Sequence, residues 1–268
     1  MAHPIDDVWL KVDRAKNHLN DLHARISQML APEKDAAPAG HEYHPDRQQL
    51  IVTLPKATPI DPTIPLIVGD CVHNARSALD HLVFQLAILN RAPIKSASKT
   101  SFPVYLKPGE FKNAVRGKIK PFISGPALAE IEKLQPYATG NDGESDVIWM
   151  LSQLDIIDKH RLLIVTASKF KPTGFTVKVP SGEEFSHKIT SDNWKASKDG
   201  AEIMRFDLSK AISKTGEVNV KVNTARAVQI ENTGMICDGM AVVPVLLDCI
   251  QHVANIVDGF SKMFFGAR

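Results

Sequence analysis

The segment 64–91, IPLIVGDCVHNARSALDHLVFQLAILNR, constrains the chain more than any other. At about 100° per residue its side chains sort into two arcs. Cys71, Val72, Ala75, Ala78, Leu79, Leu82, Val83 and Leu86 fill one contiguous apolar arc. Asp70, His73, Asn74, Arg76, Ser77, Asp80, His81 and Gln85 fill the other, joined by Phe84. An apolar stripe of that width requires a long helix laid against other elements. The polar arc is the unusual half. Solvated helix faces favour Lys and Glu, which are good helix formers and easy to expose. This arc has neither. Its His, Asp, Arg, Asn and Ser residues give up helix propensity and suit hydrogen bonding, proton transfer or metal ligation.

The other periodic segments predict how that helix is covered. Residues 4–31 keep a 3–4 apolar spacing from Ile5 through Leu30. His18 and His23 lie off that stripe, where solvent is the expected neighbour. Further helices are predicted at 145–158, with Ser145 as cap, at 126–134, and at 238–264. The Pro/Ala/Gly-rich residues 32–46 read as a loop, Gln48–Leu54 as β-like and Phe102–Leu106 as a short strand. Residues 162–231 alternate or are β-branched between Gly, Pro, Asn and Asp breaks, which predicts an antiparallel sheet. Within it, 181–200 reads as a polar loop pinned by Trp194. Helices at both ends and strands between them argue for one α+β domain over 1–268. The expected architecture is a bundle of about four long helices (4–31, 64–91, 145–158, 238–264) with an antiparallel sheet inserted before the C-terminal helix.

Charge and cysteine usage narrow the function classes. The net charge of +2 excludes the global basic signature of a nucleic-acid-coating protein, though not a local patch. The most basic window is 107–120, where Lys107, Lys112, Arg116, Lys118 and Lys120 face Glu110 alone. It reads either as a solvated surface or as a phosphate-facing patch. Apolar runs of about 18–20 residues are all interrupted by charge, so no membrane span is expected. The N-terminal MAHPIDDVWLKVDR is acidic and amphipathic, unlike a signal peptide, so a cytoplasmic location is expected. Cys71, Cys237 and Cys249 lack CxxC spacing and read as buried free thiols. The candidate for a catalytic thiol is Cys71, beside the polar arc.

Arg76-Ser77-Ala78-Leu79-Asp80-His81 has the form R-x4-H. It resembles the signature of HEPN nucleases, helical-bundle proteins that usually act as dimers and cut RNA without metal. The resemblance implies that Arg76 steadies the scissile phosphate and His81 takes part in proton transfer at the 2′-hydroxyl. It also implies that Asn74 and Asp80 support them, that RNA is the partner, that a homodimer forms and that no cofactor is needed. Ser77, and Lys159, His160 and Arg161 from the second half of the site, are the expected substrate contacts. The longer string GDCVHNARSALDH, with LDIIDKHRLL downstream, is similar to a widespread group of bacterial proteins. That likeness spans most of the chain and implies no activity.

Two other readings stand beside it. In the first, a divalent metal is held between helices by Asp70 and His73 with Asp155 and Asp158, and the protein is a metal-dependent hydrolase or another small-molecule enzyme. HExxH and cysteine-rich signatures are absent. In the second, the polar arc is a hydrogen-bond network or a ligand- or protein-contact face without catalysis. The cluster Asp155, Asp158, Lys159, His160 and Arg161 reads as mutual salt bridging or as the second half of a site facing the long helix. Gly-rich phosphate loops and a nucleophile elbow around Ser77 are absent.

Overall fold

The computed structural model describes residues 3–30, 40–44, 49–53, 59–140, 143–167, 171–178, 184–188, 202–207, 219–225, 228–231 and 233–266. Among these the protein is α+β and mostly helical, with seven α-helices. The chain divides into two compact units. The first comprises Met1–Ile26, Asp61–Val165 and Gln229–Arg268; the second comprises Ser27–Ile60 and Thr166–Val228.

The first unit holds α1 (Asp6–Leu30, as far as Ile26), α2 (Thr63–Leu89), α3 (Ile94–Ala97), α4 (Pro108–Lys118), α5 (Gly125–Lys133), α6 (Val147–His160) and α7 (Val242–Phe260). Helix α2 is fixed at both ends. The Asp61 carboxylate accepts the Thr63 N–H and hydroxyl, each at 2.8 Å, and so serves donors that the first turn leaves open. At the other end Arg91 adopts φ 60°, and the Ala92 N–H reaches back to the Ala87 carbonyl at 2.9 Å. That left-handed turn closes the helix. Between these ends every residue of the apolar arc is buried. Helix α2 packs on α6 and α7, which also pack on each other. Burial of each large aliphatic side chain in this seam contributes about 1.5–3 kcal/mol, which outweighs the arc's poor helix propensity.

Helix α6 begins at Asp146, not at the expected Ser145. The Asp146 carboxylate accepts the N–H groups of Ile148 and Trp149, at 2.9 and 3.2 Å. A short carboxylate at the N-cap also complements the helix dipole. Helix α7 runs into one π-helical turn, Ser261–Phe265. The span Val242–Phe265 is long and apolar enough to cross a membrane by length and composition; half of its most apolar window is buried in the fold, as in a core helix. A two-stranded antiparallel sheet of β3 (Ile164–Ala167) and β8 (Val228–Glu231) precedes it.

The second unit is built on two three-stranded antiparallel sheets. One has the order β1 (Gly40–His44), β2 (Gln49–Thr53), β6 (Glu202–Asp207); the other has β5 (Glu184–Lys188), β4 (Lys171–Lys178), β7 (Asn219–Ala225). Ile51 pairs with Glu42 on one side and Arg205 on the other, and Phe175 with His187 and Val222. Strands β1 and β5 occupy stretches expected as loop. Their sequences, GHEYH and EFSHK, carry little apolar alternation, and each is paired along one side only. Trp194 and most of its expected loop lie outside the described residues.

The predicted strand Phe102–Leu106 is not a strand. Side chains bond its backbone where a neighbouring strand would. Arg76 Nη2 donates to the Phe102 carbonyl at 2.8 Å, and Asp80 Oδ1 accepts the Phe102 N–H at 2.8 Å. The buried Gln135 amide accepts the Tyr105 N–H at 3.1 Å and donates to the Pro103 carbonyl at 2.9 Å. The segment's polar groups are thus satisfied without a sheet.

Candidate functional site

The polar arc of α2 divides into two flanks, both within the first unit. Five residues along an α-helix span about 140° of its circumference, so Arg76 and His81 point to different neighbours. Three residues back from Arg76, His73 is only about 60° away.

His81 faces α1. It is half-buried, and its surroundings include Lys11, Asp7 and Asp80. Desolvation holds its pKa below the ordinary histidine value; Lys11 adds to this, while Asp7 and Asp80 oppose it. The imidazole is therefore neutral near pH 7 and has a lone pair to offer. Helix α1 runs antiparallel to α2 here. Arg25 Nη1 donates to Thr63 Oγ1 at 3.4 Å, and His18 Nδ1 lies 4.0 Å from Asp70 Oδ2. His18, expected in solvent, is turned inward towards α2 with its side chain 15% exposed.

The opposite flank meets α6 in a regular ladder. At the first rung Asp158 of α6 lies against Gly69, where any Cβ would run into its carboxylate. Desolvation raises the Asp158 pKa, Asp155 and Asp70 raise it further, and His73 opposes them. At the second rung His73 Nδ1 lies 3.3 Å from Asp155 Oδ1. Asp155 is 5% exposed, its other oxygen accepts from Lys159 Nζ, and the His73 side chain remains 56% exposed. At the third rung Arg76 and Ser152 line one pocket. The Asp155 cluster thus both forms a salt bridge and faces α2, where the sequence left the two readings as alternatives. His160 and Arg161 are exposed at the helix end.

The pocket has a volume of about 230 Å³. Ser101 and Tyr105 line it from the side-chain-held segment, Lys118 from the end of α4, and Ser152 from α6. Pockets that enclose drug-sized ligands run to about 300–1,000 Å³, so this one suits a smaller group. Arg76 is 11% exposed and already bonds Asp80 Oδ1 at 2.7 Å and the Phe102 carbonyl. Its fork has five N–H donors, which leaves some for a ligand. On α4 Phe111 and Val115 face inward while Lys112, Arg116 and Lys118 are exposed. Among the described residues no carboxylate pairs with Lys112, Arg116, Lys118 or Lys120; Glu110 lies 3.8 Å from Lys107.

The remaining arc residues are placed as follows. The Asn74 amide donates to the Asp70 carbonyl within its own helix at 2.8 Å. Ser77 is half-buried and Asp70 exposed. Among the described residues no group of three or more His, Cys, Asp or Glu side chains is arranged to hold a metal ion. Cys71 is fully buried, and burial pushes its thiol up to about 12, which leaves no thiolate near neutral pH. Sequence reasoning missed Ser101, Tyr105, Gln135 and Ser152. None sits in a motif; the sequence signals for the pocket were Arg76 and the basic window holding Lys118. No family model, curated protein or solved structure matches the chain.

Proposed function

We propose that this is a HEPN-like RNA-binding protein that cuts its substrate without metal. In this reading α1, α2, α6 and α7 are the helical bundle and the working unit is a homodimer, as the resemblance implies, with a cytoplasmic location as the N-terminal sequence suggests. The observation that supports it best is the Arg76-lined polar pocket, closed on one side by Lys118 at the end of α4, whose Lys112, Arg116 and Lys118 have no carboxylate partner among the described residues. Arg76 and Lys118 take the phosphate, Ser101 and Ser152 complete its hydrogen bonds, and Arg116 and Lys112 track the neighbouring backbone. A fixed guanidinium fork suits phosphate oxygens, and flexible lysines add charge around it. The resemblance assigns proton transfer to His81, which is neutral near pH 7.

The test is retardation of a single-stranded RNA oligonucleotide by the full chain in EDTA at several salt concentrations. Each lost phosphate contact lowers the slope of log affinity against log salt by about 0.7 on single strands. Arg116→Ala with Lys118→Ala is expected to flatten the slope by about 1.4 and to weaken binding roughly tenfold near physiological salt. Unchanged binding in that double variant, or no binding by the parent chain, overturns the proposal.

A further inference from the structure

The α2–α6 ladder places a second, differently equipped histidine beside the pocket. His73 precedes Arg76 by three residues, about 4.5 Å along the helix axis. Asp155 follows Ser152 by the same step on α6, so the His73–Asp155 rung adjoins the Arg76–Ser152 rung. His81 lies about 140° away, on the α1 side. We propose that His73, oriented by Asp155, is the catalytic residue that moves the proton for a phosphodiester held at Arg76. The inference rests on the RNA reading above and changes which histidine does the chemistry.

The geometry also selects a tautomer. A carboxylate only accepts, so Asp155 Oδ1 takes the Nδ1–H of His73 and leaves the Nε2 lone pair free. The Asp155 carboxylate is buried and held from its other side by Lys159. It therefore fixes the ring while the exposed imidazole edge stays reachable. Asp158 and Asp70 also surround the pair, and His18 faces Asp70 from α1. This end of the seam is acidic and the Arg76–Lys118 end is cationic. A phosphoryl group is thus drawn to the pocket, and His73 stands three residues along α2 from its lining Arg76. In the reaction Nε2 takes the proton of a ribose 2′-hydroxyl. The 2′ oxygen bonds to phosphorus, and the bond from phosphorus to the 5′ oxygen breaks. The 5′ oxygen leaves with the electron pair and takes a proton from water. The products are a 2′,3′-cyclic phosphate and a 5′-hydroxyl, and His73 returns its proton to solvent.

The experiment measures cleavage and retardation of one single-stranded RNA oligonucleotide in EDTA, with full-length protein and its His73→Gln, Asp155→Asn and His81→Gln variants. His73 is largely exposed, so glutamine there keeps the fold, which a thermal melt verifies. His73→Gln is expected to lower kcat by about 100-fold or more with KM within about twofold. Asp155→Asn is expected to lower kcat by about 10-fold and to displace the pH–rate profile, which a merely structural role would not do. His81→Gln is expected to retain more activity than His73→Gln. Cleavage by His73→Gln at the parent rate overturns the inference alone; RNA that is bound but never cut overturns it together with the cleavage proposed above. RNA that is not bound at all overturns the functional reading and this inference together.

Discussion

The two flanks of α2 hold histidines in opposite settings. On the α1 flank His81 is half-buried, flanked by Lys11, Asp7 and Asp80, with desolvation keeping it neutral. On the α6 flank His73 is exposed, bonded to a buried carboxylate, and three residues from an arginine that lines a pocket. The first setting resembles a packed polar residue. The second has an orienting group, an exposed ring and a neighbouring arginine, the three parts that the proposed acid–base chemistry on a phosphate ester requires. A spacing of five residues in sequence does not bring two side chains together on a helix, whereas a spacing of three or four does.

Removing Arg76 should test this contrast most severely. Its fork joins Asp80 to the Phe102 carbonyl, and the Asp80 carboxylate in turn holds the Phe102 N–H. Arg76→Ala leaves that carbonyl without its donor and the carboxylate with the Phe102 N–H alone. Charge-assisted hydrogen bonds of this kind contribute about 1.5–3 kcal/mol, so the variant is expected to lose about 2–3 kcal/mol in urea unfolding. Asp80→Ala made in the Arg76→Ala background should cost less than Asp80→Ala alone, because the two residues act as one clamp. Additive losses would mean that the clamp is not a unit. That result would leave Arg76 free to serve a ligand alone.

The clamp also explains what the sequence made legible and what it did not. The apolar arc follows helical periodicity, and each of its eight residues from Cys71 to Leu86 is buried. The absence of Lys and Glu from the polar arc reported that the arc is occupied, since Asn74, His73, Arg76 and Asp80 all have hydrogen-bond partners. Those partners were not legible. Phe102 lies 26 residues from Arg76, and Asp155 lies 82 from His73. Pairing of a side chain with a distant backbone or helix leaves no period in either segment. For the same reason Phe102–Leu106 read as a strand. Its extended, apolar-rich sequence was visible, but the guanidinium, carboxylate and amide that bond it were not. Strands β1 and β5 hid behind polar composition, because their pairing depends on β2 and β4.

The α1 flank makes a smaller, pH-dependent prediction. The folded-state pKa of His81 is depressed below 6.5, chiefly by desolvation. Above 6.5 the ring is neutral in both folded and unfolded chains, and no stability is lost. As pH falls below that value the unfolded chain binds the proton first, so stability declines until the folded-state pKa is passed. His81→Gln removes this contribution. Between about pH 7 and pH 5 its Tm is expected to fall by about 1–2 °C less than that of the parent, an effect kept small by solvent screening. Equal declines in the two proteins would place His81 in a more open setting than the α1 contacts describe.

Asp158 on the α6 flank should show the opposite sign and the smallest effect. Its folded-state pKa is raised above 3.8, first by desolvation and then by Asp155 and Asp70. The folded chain therefore holds this proton more tightly than the unfolded one, and stability declines as pH rises from 3.8 through the raised value. At neutral pH the charged carboxylate against Gly69 is a net burden on the α2–α6 seam. Asp158→Asn keeps the shape and removes the charge, so Tm at neutral pH is expected to rise by about 1 °C, with the gain disappearing in acid. A lower Tm at neutral pH would show that the carboxylate is engaged as an ion there. The acidic end of the seam would then be a bonded network around His73, and the histidine would be held from two sides instead of by Asp155 alone.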